Sequence, residues 1–384
     1  MISLPRPHLG KKEEKYVLDC LRNNDISQGK YVRRLEEAFS RFTGVKYGSA
    51  VNNGTSALHI ALTALGIGGG DEVILPSQTF ISTASAVVYC GAKPVFVDCT
   101  PDGWCMDPEL VGKAVTKRTK AVIPVHLYGN PCDMREIRKI AGKYHIRIIE
   151  DSAQAHGSLY RGGKCGSFSD ISCFSFYCNK LMTTGEGGIC LTNSKALKER
   201  IDLLRAQGKD KIGTINKKKN YPKIQFYHRL LGFNYRLSNI NAALGVAQFE
   251  KLESVIAGKI RIAEEYMRLF KKHGLEKEIV WQKEQEGGRS VYWLFGVLVR
   301  DGDIQDRLTK YLNENGIETR SFYYPLHKHP FFPSGIVARK DRGKGKSVTE
   351  ELNERGIVLP NDISMTKRDI RKVVMTVKGF FSHV

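Results

Sequence analysis

No stretch of this 384-residue sequence approaches the run of apolar residues needed to span a bilayer, which argues against a membrane-spanning helix, and no membrane partner is expected. The opening residues, from Met1-Ile2-Ser3 to Pro7-His8, lack the basic, apolar and small-residue order of a secretory signal, so a cytoplasmic protein is expected. The cysteines number nine, an odd count, and no two are spaced C-x-x-C, which argues against a zinc ribbon or a dithiol redox site. Reduced, mostly buried thiols and no bound metal are the expectation. Gly345-Lys346-Ser347 has the ending of a phosphate-binding loop, but position 340, where that loop needs glycine, holds lysine. Gly185, Gly187 and Gly188 are not spaced as a dinucleotide fingerprint, and neither H-E-x-x-H nor G-x-S-x-G occurs. Nucleotide hydrolases, metalloproteases and serine hydrolases are thereby set aside.

What is present is an ordinary globular composition, 41% hydrophobic and 26% charged, on a chain long enough for one large domain and a smaller one. The net charge of +20 raises nucleic-acid binding as a function class. Its lysines and arginines are spread along the chain without a recognition module, so no nucleic-acid partner is expected. An acidic small-molecule substrate accounts for the excess equally well. The densest basic cluster, residues 209–223, reads both as a solvated loop and as a binder of nucleotide-sugar phosphates. Residues 339–346 read as a mobile basic loop.

Short β-branched runs alternate with helical patterns through the first two thirds, the pattern of an α/β fold with a largely parallel sheet. Strands are predicted at Glu72–Leu75, Pro94–Val97, Ala121–Val125, Arg147–Glu150, Ile171–Phe176 and Gly188–Leu191. Val32, Leu35, Phe39 and Phe42 recur at three- and four-residue steps and predict a helix over 30–43. Further helices are expected over 55–65, 80–89, 133–143 and 195–205. Near residue 250 the pattern shifts to two long helical segments, a strand at Trp293–Val299, and helices over 304–314 and 367–378. The division expected is a large domain over 1–250 and a smaller α+β domain over 251–384.

Three elements fall at carboxyl ends of predicted strands, where open α/β sheets bind ligands. Asn52-Asn53-Gly54-Thr55-Ser56 starts a helix and presents free N–H groups and two hydroxyls, a fit for phosphate or, more simply, a helix cap. Ile148-Ile149-Glu150-Asp151-Ser152-Ala153-Gln154 ends an apolar strand in a carboxylate. Such a carboxylate can hold a pyridine nitrogen protonated, and it can equally cap the next helix. Adjacent on a strand, Glu150 and Asp151 face opposite ways and do not form an acid–base pair. The third element runs from Phe174-Ser175-Phe176-Tyr177-Cys178-Asn179-Lys180 into Thr183-Thr184-Gly185-Glu186-Gly187-Gly188. There, desolvation and a neighbouring cation would make Lys180 a neutral, nucleophilic amine, against the plainer reading of a solvated lysine.

Taken in order with Gly232-Phe233-Asn234-Tyr235-Arg236, these motifs resemble the DegT/DnrJ/EryC1/StrS family of sugar aminotransferases over nearly the whole chain. The resemblance implies the aspartate-aminotransferase fold (fold type I), pyridoxal 5'-phosphate as cofactor, and a homodimer whose active sites are shared between subunits. It matches Lys180 to the lysine that bonds the cofactor, Asp151 to the partner of the pyridine nitrogen, and Gln154 to a residue near the phenolic oxygen. Phe80 falls where an aromatic stacks on the ring, although an ordinary core phenylalanine fits as well. Gly54, Thr55, Ser56 and Ser175 match the phosphate site, and Asn234 matches the ligand supplied by the other subunit.

The implied reaction moves an amino group from an amino acid, glutamate in most relatives, to a keto sugar. Asn179-Lys180 and the Thr-Thr-Gly-Glu-Gly-Gly run are closest to perosamine-synthase-like members, which aminate a nucleotide-linked 4-keto-6-deoxy sugar in the making of surface polysaccharide. Cys178 departs from the glycine usual there, leaving inososes, 3-keto sugars and an eight-carbon ulosonic acid open as acceptors. The run Arg320-Ser321-Phe322-Tyr323-Tyr324-Pro325-Leu326-His327 is expected near the sugar, with His327 as a hydrogen-bonding candidate or as part of a packed aromatic loop. A non-catalytic regulatory relative is the other reading carried forward.

Overall fold

The computed structural model describes residues 1–209, 228–300, 302–332 and 345–382. The basic cluster beyond Lys209 and the stretch 339–344 lie outside the described residues. The central sheet has seven strands: β1 (Tyr47–Val51), β2 (Glu72–Pro76), β3 (Lys93–Val97), β4 (Thr119–Val122), β5 (Arg147–Asp151), β6 (Ile171–Ser175) and β7 (Gly188–Thr192). Their spatial order is β1-β7-β6-β5-β4-β2-β3. All neighbours from β6 to β3 pair in parallel, and β7 alone is antiparallel to both its neighbours. Because β7 opposes β1 and β6 alike, those two run the same way. The carboxyl ends of β1, β2, β5 and β6 therefore share one edge, which is the edge that carries the site.

These strands are buried on both faces and read as continuous apolar runs such as Val73-Ile74-Leu75. Helices cover both sides. Gly54–Ala64, buried nearly all round, lies at the centre of one layer, whereas Lys30–Thr43 buries one stripe through Val32, Leu35 and Phe39. Burying each of the last two side chains contributes about 1.5–3 kcal/mol. Gly188 is required by packing, since a Cβ there would lie 2.7 Å from the Asn53 carbonyl oxygen and 2.8 Å from that of Phe174. The start of β7 is thereby pressed against the turn that opens the helix Gly54–Ala64.

The later part of the chain forms a second sheet of four strands, β8 (Ile279–Trp281), β9 (Phe295–Val299), β10 (Arg320–Ser321) and β11 (Gly356–Leu359), in the order β8-β9-β11-β10. Every pair in it is antiparallel. The helices Leu252–Lys272, Gly302–Glu314 and Lys367–Phe381 pack on it around a core that includes Tyr266, Phe270, Phe295, Leu312 and Val374. One long helix follows residue 250, where two were expected. The other helical pattern, Asn239–Phe249, precedes that residue and packs against the helices Lys11–Arg22 and Lys30–Thr43. All nine cysteines are free thiols, seven buried and two partly so. No helix of the described residues is long and apolar enough to cross a membrane.

Candidate active site

At the shared carboxyl edge lies a cavity of about 450 Å³. The turn after β1 brings Asn53, Gly54 and Thr55 to it, β5 ends in it with Asp151, Ala153 and Gln154, and β6 delivers Ser175, Tyr177, Asn179 and Lys180. Phe80, Ser82 and Thr83 arrive from the segment after β2, and Trp293, Arg320 and Tyr323 from the other sheet. One end of the cavity is built for an anion. Asn53 caps the helix Gly54–Ala64, its side chain accepting from Ser56 N at 2.8 Å and its carbonyl accepting from Ala57 N. The N–H groups of Gly54 and Thr55 are the ones that no helical carbonyl can reach, and they open on the cavity at the positive end of the helix. Thr55 and Ser82 share a hydroxyl hydrogen bond of 2.7 Å beside them. Gly54 is held so close to β6 that a Cβ would sit 2.7 Å from Ser175 Cβ, so the anion cradle is open because that position has no side chain.

Burial governs the other end. Asp151 is almost wholly buried, and desolvation pushes its carboxyl upward. Thr83 Oγ1 donating at 2.8 Å, Ala153 N donating at 3.2 Å and the charge of Lys180 act against that rise. Facing it, Lys180 is desolvated until its amine falls to about 7 from an ordinary 10.5, with Asp151 opposing the fall and Arg320 adding to it. Its Nζ stands 3.7 Å from the centre of the Trp293 ring, and Trp293 Nε1 donates to the Asn179 carbonyl at 2.7 Å. The lysine is thus fixed by its own chain neighbour. Glu150 turns away, as alternation on a strand requires. Fully buried, it accepts from Gly166 N, Phe168 N and Ser169 Oγ and pairs with His126, so it braces the strand rather than the site.

Of the residues singled out from sequence, Gly54, Thr55, Phe80, Asp151, Gln154, Ser175 and Lys180 line this one cavity. Gln154 accepts from Tyr128 N at 2.8 Å, which leaves its amide nitrogen as the end available to a ligand. Tyr128 itself is buried in the left-handed region at φ 56° and stacks on Tyr323. Phe80 is 54% exposed, an open apolar ring at the cavity wall instead of a core phenylalanine. Three residues are not brought there. Ser56 is buried against the cap, and Asn234 bridges Ala206 away from the cavity of its own chain. His327 is held by Ser77 at 2.7 Å and lies 3.8 Å from Glu350, and it is not among the residues that line the cavity. The run it belongs to does reach the cavity, through Arg320 and Tyr323. Sequence reasoning also missed Ser82, Thr83 and Trp293, which carry no motif and arrive by tertiary packing alone.

A phosphate cradle, a buried carboxylate, a desolvated lysine amine and an exposed aromatic wall in one cavity of an α/β fold define a pyridoxal-phosphate enzyme of fold type I. The chain belongs to the DegT/DnrJ/EryC1/StrS aminotransferase family, which it matches over residues 7–378, and it is a sugar aminotransferase dependent on that cofactor. It is 39% identical to the GDP-perosamine synthase of Caulobacter vibrioides over 376 residues, covering 97% of this chain and 96% of the relative. The GDP-perosamine synthase of Escherichia coli O157:H7 is 37% identical over 382 residues and 99% of both chains. Among solved structures, an aminotransferase from Psychrobacter cryohalolentis superimposes with a TM-score of 0.91 at 29% identity over the full length of both chains.

Proposed function

We propose that the chain transfers the amino group of an amino acid, glutamate in the first instance, to the keto carbon of a nucleotide-linked 4-keto-6-deoxyhexose, a step in making surface polysaccharide. The observation that carries this reading is the desolvated Lys180 amine facing Asp151 in a cavity whose far end is a phosphate cradle. The likeness to two GDP-perosamine synthases supports the choice of sugar. When bound, pyridoxal phosphate supplies the carbon that carries the amino group from donor to acceptor and the ring that accepts electrons meanwhile.

The chain's own residues do the rest. Gly54 N–H, Thr55 N–H and the hydroxyls of Thr55, Ser82 and Ser175 would bind the phosphate. Asp151, oriented by Thr83, would accept a hydrogen bond from the pyridine nitrogen and keep it protonated, and Gln154 would donate to the phenolic oxygen. Phe80 would cover one ring face. Lys180 Nζ anchors the cofactor and, once freed, takes the proton from the donor's Cα and later gives a proton back, for which an amine titrating near neutrality is well matched. Trp293 keeps water from that amine.

We propose further that two copies of the chain share their sites, with Asn234 serving the phosphate of its neighbour; its position away from the cavity of its own chain supports this. The division at residue 250 and a cytoplasmic location are part of the same reading. Incubation with 15N-glutamate and a panel of nucleotide-linked keto sugars is the test. A labelled 4-amino sugar is expected, and label appearing only in a 3-amino sugar, an amino-inositol or no product would refute the acceptor.

A further inference from the structure

Among the described residues, two cationic side chains line the cavity, Lys180 and Arg320. The first has a role; the second has none yet. Arg320 lies on the two-residue strand β10, paired through its backbone to Val358, and reaches the cavity from the sheet opposite the cofactor elements. Its guanidinium has no carboxylate or hydrogen-bond partner among the described residues, on a chain with 40 acidic side chains. This guanidinium shares the cavity with a second cation, Lys180. Arg320 disfavours the charged form of Lys180, and its charge also reaches Tyr177 and Tyr323. Those are residues of the lysine end of the cavity, not of the phosphate cradle formed by Thr55, Ser82 and Ser175. Lys180 has the carboxylate of Asp151 facing it, but no protein carboxylate pairs with Arg320 among the described residues, so an anionic ligand that seats beside the guanidinium would supply the partner it lacks.

We propose that Arg320 receives a carboxylate of the amino donor, making it the residue that selects an amino acid for the first half of the reaction. The inference rests on the functional reading above and adds the recognition element that reading lacks. Geometry favours a donor carboxylate over the other anions in play. The cofactor's phosphate has its own cradle at the far end. The proton that moves to Lys180 Nζ comes from the carbon bearing the donor's α-carboxylate, so that carboxylate must lie close to the lysine, where the unpaired guanidinium is. A planar fork of N–H donors matches a carboxylate in two parallel hydrogen bonds. The keto carbon of a neutral sugar ring carries no such group, so Arg320 separates the two half-reactions: it serves the donor and is idle toward the acceptor's ring.

The test uses the full-length holoenzyme and glutarate, a dicarboxylate with no amine to react. Calorimetric titration of the wild type, Arg320→Gln and Arg320→Lys with glutarate, and separately with GDP, reads binding without turnover. Arg320→Gln is expected to weaken glutarate binding by about 10- to 100-fold, the range for a lost charge-assisted hydrogen-bond pair, with Arg320→Lys in between and GDP binding unchanged. The KM for glutamate rises in step, while the KM for the keto sugar stays as in the wild type. Thermal midpoints stay as in the wild type, since no protein group is hydrogen-bonded to the guanidinium among the described residues. The proposal is overturned if Arg320→Gln binds glutarate as the wild type does, if the wild type binds none, or if GDP binding alone is lost, which would assign Arg320 to the nucleotide's phosphates. Failure of the wild type to convert any amino acid would defeat the functional reading instead, and the glutarate titration would still decide the role of Arg320.

Discussion

The free amine of Lys180 is where the electrostatics of the cavity can be measured. In the cofactor-free protein its titration near pH 7 leaves roughly half of it neutral at that pH, against roughly one molecule in three thousand for a lysine at 10.5. Burial is the main cause, and two charges trim it in opposite directions. Asp151→Asn removes an attraction that favours the ammonium, so the midpoint falls, by about one unit for a single close charge. Arg320→Gln removes a repulsion, so the midpoint rises, by less than a unit because the guanidinium is solvated and screened. The assay is brief acylation with acetic anhydride at a series of pH values, with the peptide carrying Lys180 quantified by mass spectrometry. A wild-type midpoint near 10, or displacement of both variants in the same direction, would refute the reasoning.

Other expectations follow from particular contacts. Gly54→Ala drives a Cβ into Ser175 and should cost about 1–3 kcal/mol of cofactor affinity or of fold stability, read by fluorescence titration with pyridoxal phosphate and by thermal melting. Glu150→Ala strips a fully buried carboxylate from His126 and from three other donors, and urea melts should register a loss of about 3–5 kcal/mol. Lys259, buried with its amine lowered to about 7 and donating to the Trp293 carbonyl and Asn361, is a second group to titrate. The unfolded chain holds that proton up to about pH 10 and the folded one releases it near 7, so this residue makes stability rise with pH between those limits. Lys259→Met should flatten the rise, as seen in denaturation midpoints taken from pH 6.5 to 10.

How legible the site was depended on where each residue sits in the chain. Asp151 and Ser175 close apolar strands, and Thr55 and Lys180 follow such strands within a few residues, so strand prediction alone put them on one edge of a parallel sheet. Alternation along β5 likewise separated Asp151 from Glu150. Trp293 was legible only as part of a strand, because nothing local shows that its indole crosses to the other sheet's lysine. His327 left two readings open for a related reason: a histidine beside aromatic residues fits a ligand contact or a packed loop, and only the fold reveals its contacts with Ser77 and Glu350. The helix Lys11–Arg22 escaped notice because its sequence is mostly polar and Glu13 and Cys20 alone in it are buried.

Reduction of the cofactor-loaded protein with borohydride, followed by peptide mass mapping, bears most directly on the whole account. The phosphopyridoxyl mass is expected on the peptide carrying Lys180, with none on that of Lys259, and pretreatment with glutamate should abolish it. Labelling of a different lysine, or labelling that glutamate leaves untouched, would contradict the assignment of Lys180 as the group that holds the cofactor and gives it up to the donor.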